Sequence, residues 1–289
     1  MGITGAVNQT VSAETLFFPP AGTTDGTNPH RYLYPPPPGK GYTNYTNVKQ
    51  RLQIENIRGK EGKYTLDEAG FQYIRETLKY QGFDKDDQED VKKEYYPEVI
   101  DIIKKTTGAS EVIIFDHKIR RHIPGKSRFE DPVKRGVVPI VHADETPVSS
   151  VCHVHRNTSS KEEAEGLLNK PRFQIINIWR PITHPAFDHP LAVCDYRSVD
   201  LEKDLVLMDL KVSDSVTDET YEMRFNPKQE WKYLRGMRTD EVLLMKCHDS
   251  IQDGSVATLV PHAAFSDPST PPGSPFRESI EVRALVFYD

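Results

Sequence analysis

The chain is expected to fold as an α+β domain, with a helical flank packed on a β-sandwich or barrel. Three observations predict this. Helix-like patterning is concentrated between residues 61 and 108, with one later helix. β-rich runs then recur to the C-terminus. At 289 residues and 37% hydrophobic content, the chain is long enough and apolar enough for a sizeable core.

Residues 1–60 are rich in Pro, Gly, Thr and Tyr. Pro35-Pro36-Pro37-Pro38-Gly39 predicts a polyproline II or turn segment. The segment is expected to be an extended arm whose aromatics pack on the core, leaving residues 61–289 as a single domain. Thr65-Leu66-Asp67-Glu68 has the form of a capping box. Leu66, Phe71, Ile74 and Leu78 follow at helical spacing, which predicts a helix over 66–80. A second helix follows Asp86-Asp87, is interrupted at Pro97 and ends at Thr106-Thr107-Gly108.

Glu111–Asp116 is a β-rich run. Residues 117–135 are basic (Lys118, Arg120, Arg121, Lys126, Arg128) and predict a solvated loop, or a clamp for an anionic substrate. Val137–Val141 leads into His142-Ala143-Asp144. Strands are then expected at 173–179, 191–195, 205–208, 221–225, 242–246 and 280–287, with one more helix at 161–168. His153-Val154-His155 is a second same-face pair if extended, but has no nearby carboxylate in the sequence.

Composition excludes several classes. A net charge of −6 gives no electrostatic case for nucleic acid. No stretch approaches the ~20 apolar residues of a membrane span. The N-terminus lacks a basic and apolar leader. Three scattered cysteines do not make a disulfide framework. The expected setting is cytoplasmic, with a small-molecule substrate; a homodimer stays open.

The chemistry begins at His142 and Asp144. In an extended backbone, residues i and i+2 share a face, so an imidazole and a carboxylate converge on one point. That is two thirds of the 2-His-1-carboxylate set that holds non-haem Fe(II). This is the only His-x-Asp/Glu in the chain. Of ten histidines, His262, just before the last strand, is the best third ligand. Arg277 and Ser279, the only Arg-x-Ser, share a face by the same logic and offer a guanidinium fork and a hydroxyl to a carboxylate. Asn177 and Trp179 alternate onto one face and are candidates for the substrate pocket or for a structural role. Arg180, Lys246 and Arg283 are further pocket candidates, Lys246 equally as an ion pair with Asp249 and Arg283 as a second carboxylate anchor.

With these blocks in order, and with Asn177-Ile178-Trp179-Arg180-Pro181, Lys246-Cys247-His248-Asp249-Ser250 and Pro261-His262-Ala263-Ala264-Phe265, the chain resembles the Fe(II)/2-oxoglutarate-dependent oxygenases. It is most similar to the group that includes gibberellin GA4 desaturase and the small subunit of cephalosporin 7α-methoxylase. The resemblance implies a double-stranded β-helix, or jelly roll, with flanking N-terminal helices. It implies His142, Asp144 and His262 as iron ligands and Arg277 and Ser279 as the 2-oxoglutarate anchor. The implied reaction is hydroxylation or desaturation of a small apolar secondary metabolite of a fungal pathway. The alternative is a redox-neutral cyclase or pericyclase on the same scaffold, for example a hetero-Diels-Alderase, which does not use iron.

Overall fold

The computed structural model describes residues 10–21, 26–85, 88–125 and 136–289. Strands dominate, as the many β-rich runs predict. Along the chain they are β1 (Thr10–Phe17), β2 (His30–Tyr32), β3 (Val48–Asn56), β4 (Phe71–Arg75), β5 (Glu111–Arg121), β6 (His142–Ala143) and β7 (Arg172–Pro181). There follow β8 (Leu191–Cys194), β9 (Leu205–Lys211), β10 (Thr217–Met223), β11 (Trp231–Tyr233), β12 (Glu241–Asp249), β13 (His262–Ala264) and β14 (Glu278–Tyr288). The helices are α1 (Gln88–Asp90), α2 (Tyr96–Thr107), α3 (Pro147–Arg156), α4 (Lys161–Leu168) and α5 (Leu201–Asp204).

Two sheets form a jelly roll. One has nine strands in the order β1-β3-β11-β8-β13-β6-β10-β9-β2, the other five in the order β4-β12-β7-β14-β5. The five-stranded sheet is covered on both faces, so its central strands β7 and β12 are buried almost throughout. Outside, Ile178, Val242, Leu244 and Val282 pack on Val99, Ile102 and Ile103 of α2. Inside, Trp179, Leu243 and Met245 pack with Leu191 and Val193 of the opposite sheet and with Val260, just before β13. Burying each such aliphatic side chain is worth about 1.5–3 kcal/mol, so this layer holds the roll closed.

The helix expected over 66–80 is not formed. Thr65 and Glu68 do bond, through the Glu68 N–H on Thr65 Oγ1 at 3.3 Å, but they close only a turn. Gly70 ends it at φ +80°, where a Cβ would stand 2.6 Å from the Leu259 carbonyl oxygen. Phe71–Arg75 then pairs with β12, from Phe71↔Met245 to Arg75↔Glu241. Phe71 and Ile74 fit a helical period, but Phe71 and Tyr73 also fit an alternating one, and the ladder to β12 decides between them.

The second expected helix is a composite. A π-helical turn at Val91–Tyr95 joins α1 to α2, and Pro97 sits in the first turn of α2, where its missing N–H costs nothing. Asp86-Asp87 lies outside the described residues. Residues 117–121 are not loop but the end of β5, while 126–135 lie outside the described residues. The expected arm supplies β1, β2 and β3 to the large sheet.

Helix α3 was not expected. Thr146 caps it, its hydroxyl accepting from the Ser149 N–H, and Pro147 opens it. His153 and His155 therefore point apart, since residues i and i+2 of a helix diverge. His153 stacks on Phe115, with ring centroids 4.7 Å apart, and stands 3.4 Å from Glu145.

Candidate metal centre

The short strand β6 is where the site is assembled. It pairs with β13 on one side, putting His262 opposite His142, and with β10 on the other, putting Glu222 opposite His142. The two imidazole rings lie 4.4 Å apart. His142 Nε2 is 3.6 Å from Asp144 Oδ1, and His262 Nε2 is 3.9 Å from Asp144 Oδ2. One ligand atom from each of the three falls within 4.8 Å of the others.

Each imidazole is held by its far nitrogen. His142 Nδ1–H donates to the Ile140 carbonyl at 2.8 Å, and His262 Nδ1–H to the Val260 carbonyl at 3.2 Å. That leaves both Nε2 lone pairs facing the centre, as a metal-binding histidine requires. Burial pushes the His142 imidazole down to about 3, with the neighbouring His262 as the next cause. A neutral imidazole is the form that ligates.

Asp144 is buried among donors. Asn177 Nδ2 donates to Oδ2 at 2.7 Å, and Arg283 Nη2 to Oδ1 at 3.2 Å. Burial alone raises its carboxyl, but Arg283, His262 and His142 outweigh it, and the group is held well below the usual carboxylate range. Arg283 also bonds Glu281 through Nε at 3.1 Å. Burial raises the Glu281 carboxyl, and Arg283 more than reverses this.

Arg277 and Ser279 are both buried. Arg277 lies across Trp179, its guanidinium carbon 5.7 Å from the ring centre. Nη1 donates to the His189 carbonyl at 2.6 Å, and the backbone N–H to Asp188 at 2.9 Å. Asp188 in turn accepts from His122 at 2.5 Å and His189 at 2.7 Å. Arg277 Nε and Ser279 Oγ have no partner. Burial, and then Arg120, push Arg277 down to about 9. Two buried polar atoms without partners cost about 1–3 kcal/mol each, and a bound carboxylate would satisfy both.

The remaining pocket candidates separate by face. Asn177, Trp179 and Arg283 point inward. Arg180 points out toward α2. There it donates to the Glu76 and Thr239 carbonyls and approaches Glu98 at 3.6 Å. Lys246 also leaves the interior, bonding Asp67 at 2.6 Å and Asp249 at 2.7 Å. Neither reaches the cavity, so both are corrected to structural ion pairs, because their strand positions alternate to the outer face.

A cavity of about 370 Å³ opens before His142, Asp144 and Arg283. Arg31, Tyr34 and Tyr42 line it from the N-terminal segment, and Lys118 and Arg120 from β5. Arg31 is paired with buried Glu222, which also accepts from Tyr45 at 2.6 Å and Asn47 at 2.8 Å. The sequence pattern missed Arg31 and Glu222, whereas Lys118 and Arg120 belong to the basic stretch read as a loop or anion clamp. Glu281 was within reach of it, since Glu281-x-Arg283 repeats the same-face spacing of Arg277-x-Ser279. Arg31 was not, since nothing local marks it.

A jelly roll closing on two imidazoles and one carboxylate is the architecture of mononuclear non-haem metalloenzymes. The model of the Oxidoreductase/YMDC permease-like domain family matches residues 17–287. The chain is 36% identical to hydroxylase/desaturase efuI of Hormonema carpetanum, over 86% of this chain and 87% of that one. It is 30% identical to the Fe(II)/2-oxoglutarate-dependent dioxygenase nvfI of Aspergillus novofumigatus, over 95% and 96%. The solved structure of the iron and alpha-ketoglutarate-dependent endoperoxidase NvfI superposes with a TM-score of 0.85 at 28% identity, covering 98% of this chain and 99% of that one. The chain belongs to the Oxidoreductase/YMDC permease-like domain family, within the group of fungal hydroxylase/desaturases and dioxygenases that these relatives represent.

Proposed function

We propose that the chain is an Fe(II)/2-oxoglutarate-dependent oxygenase that hydroxylates or desaturates a small, mainly apolar secondary metabolite. His142, Asp144 and His262 would hold the iron, and Arg277 and Ser279 the distal carboxylate of 2-oxoglutarate. The fit rests on the donor set. Two imidazoles and a carboxylate bring ligand atoms to one point, and the buried guanidinium and hydroxyl have open hydrogen-bonding capacity. The single observation that carries the reading is this pairing of an assembled ligand set with an unsatisfied anion site.

Iron and the keto acid, when bound, supply the oxidising power. O2 and 2-oxoglutarate are consumed and succinate and CO2 released, while the substrate gains one oxygen atom, or loses two hydrogens as water forms. The protein's residues do the positioning. The Ile140 and Val260 carbonyls fix the imidazole rings. Asn177 and Arg283 fix Asp144. Leu33, Val138, Met208 and Leu210 give the cavity an apolar lining.

One observation favours a second reading. Arg283 already neutralises Asp144 at 3.2 Å, and so competes with a dication for that carboxylate. In the alternative, the cavity orients a reactive intermediate for a redox-neutral cyclisation without metal.

The test is an anaerobic titration of the protein with Fe(II) and 2-oxoglutarate. The oxygenase reading expects the visible charge-transfer band of a chelated keto acid, succinate release on admitting air, and loss of both in Asp144→Ala and His262→Ala. No band and no succinate would sink it. Product mass separates the readings further: one oxygen gained or two hydrogens lost means oxidation, and an unchanged mass means cyclisation.

A further inference from the structure

A second cluster of metal-ligating side chains lies beside Arg277. The β5–β14 ladder ends at the pair Arg121↔Glu278. One residue further on, the His122 N–H donates to the Arg277 carbonyl at 2.8 Å. The loop after β7 brings Asp188 and His189 to the same place. His122 Nδ1 is 2.5 Å from Asp188 Oδ2, His189 Nδ1 is 2.7 Å from Asp188 Oδ1, and the two imidazole rings lie 4.3 Å apart. One ligand atom from each of the three falls within 4.8 Å of the others.

Three features suit this cluster to a cation. Two ring nitrogens and a carboxylate oxygen are the donor set of borderline metals such as Zn(II). Among the described residues, no lysine or arginine side chain is paired with Asp188, whereas Asp144 is held by Arg283. The remaining partner of Asp188 is the Arg277 backbone N–H, on Oδ2 at 2.9 Å, and coordination through Oδ1 leaves that bond in place. The side chains of His122, Asp188 and His189 are 18%, 14% and 25% exposed, so an ion can enter and a water can complete a tetrahedron. Phe276 stands edge-on to His122, with centroids 5.3 Å apart, and His189 takes a left-handed φ of +43°, alone among the described non-glycine residues. Tetrahedral zinc separates its ligand atoms by about 3.3 Å. The ion therefore replaces the two Nδ1 protons with side-chain shifts of under about 1 Å.

We propose that His122, Asp188 and His189 form a second metal site, separate from the His142–Asp144–His262 centre, and that it takes Zn(II). Each of the three grips Arg277 by one bond. Asp188 accepts its N–H, His122 donates to its carbonyl, and the His189 carbonyl accepts from Nη1 at 2.6 Å. An ion that ties the three together fixes Arg277 on three sides and adds positive charge beside it. The site itself stands apart from the oxygenase reading; only its benefit to the 2-oxoglutarate anchor rests on that reading.

Tag-free protein, stripped with chelator, is titrated with Zn(II) by calorimetry in the absence of 2-oxoglutarate. The wild type should take two equivalents, His122→Gln/His189→Gln one, Asp144→Ala/His262→Ala one, and the four substitutions together none. Outer partners of a metal ligand are alone worth about 10–100-fold in affinity, so loss of two ligands should weaken this site by more than about 100-fold. Hydrogen exchange gives a readout independent of stoichiometry. With Zn(II), the Arg277 amide should slow about tenfold or more in the wild type and in Asp144→Ala/His262→Ala, but not in His122→Gln/His189→Gln. Thermal midpoints check that each variant is folded. An equivalent of Zn(II) in Asp144→Ala/His262→Ala that survives His122→Gln/His189→Gln overturns the proposal. So, without any variant, does a wild type that takes one equivalent and leaves the Arg277 amide unchanged. If the wild type takes one equivalent and His122→Gln/His189→Gln none, the reading of the His142 centre fails while this site stands.

Discussion

Replacing Arg283 with leucine removes the cation between two buried carboxylates. Its Nη2 is 3.2 Å from Asp144 Oδ1 and 3.0 Å from Glu281 Oε1. Asp144 keeps its bond from Asn177, but Glu281 is left inside the roll without its guanidinium. Removing one partner of a buried ion pair costs about 3–5 kcal/mol, because the other charge stays desolvated. For a chain of 289 residues, an unfolding entropy of about 2.1 cal/mol/K per residue turns that into a fall in Tm of about 5–8 °C. Differential scanning calorimetry in chelator measures it. Arg283→Leu/Glu281→Leu removes both charges and should recover most of the loss, since an apolar pair can replace a buried ion pair at little cost. A single-variant fall below about 2 °C, or a double variant no better than the single, would refute this account of Arg283.

Other outcomes follow from the same geometry. Asn177→Leu removes the 2.7 Å bond to Asp144 Oδ2 and should weaken Mn(II) binding about 10–100-fold; an unchanged Kd by titration counts against the role of Asn177. Asp188→Ala removes the acceptor shared by the Arg277 N–H, His122 and His189. It should raise KM for 2-oxoglutarate about tenfold with a smaller change in kcat, partly restored by Asp188→Asn; a fall in kcat alone contradicts a role in placing Arg277. Acid stability should depend on Asp249. Burial pushes its carboxyl up, but Arg172, Lys246 and Gln174 more than reverse this, so its folded pKa is depressed. A depressed carboxylate stabilises the fold above its unfolded pKa of about 4, and that contribution is lost as pH falls through the folded value. Asp249→Asn should therefore flatten the fall of Tm with pH in the acid range, and a parallel curve for the two proteins would remove Asp249 from the explanation.

The sequence made the strands and the ligand set readable, because both obey alternation. His142-x-Asp144 and Arg277-x-Ser279 each place two side chains on one face, and the inward pair Asn177 and Trp179 follows the same rule. Alternation alone does not say which face is inside, so Arg180 and Lys246 were candidates for the cavity and lie outside it. Short local patterns failed where tertiary pairing competes. Leu66–Leu78 carries a cap and a helical period, yet Phe71–Arg75 gains more from the β12 ladder. The cap at Thr146-Pro147 is a weaker local signal than the one at Thr65, because Ser149 stands where a capping box usually has Glu or Gln. Lys118 and Arg120 were legible as a basic stretch, but their place opposite Glu281 and Ser279 depends on a register that no local signal carries. Arg31 and Tyr34 reach the cavity only because β2 joins β9 far along the chain.

That junction of β2 with β9 divides the cavity by origin. The ligand atoms come from residues 142–144 and 262, while Arg31, Leu33, Tyr34, Pro35 and Tyr42 of the cavity lining lie over a hundred residues upstream of Asp144. A chain built this way can exchange its wall without disturbing its metal ligands. Directed evolution confined to residues 31–42, sparing the Arg31–Glu222 pair, is thus the shortest route to altered selectivity with the chemistry left intact.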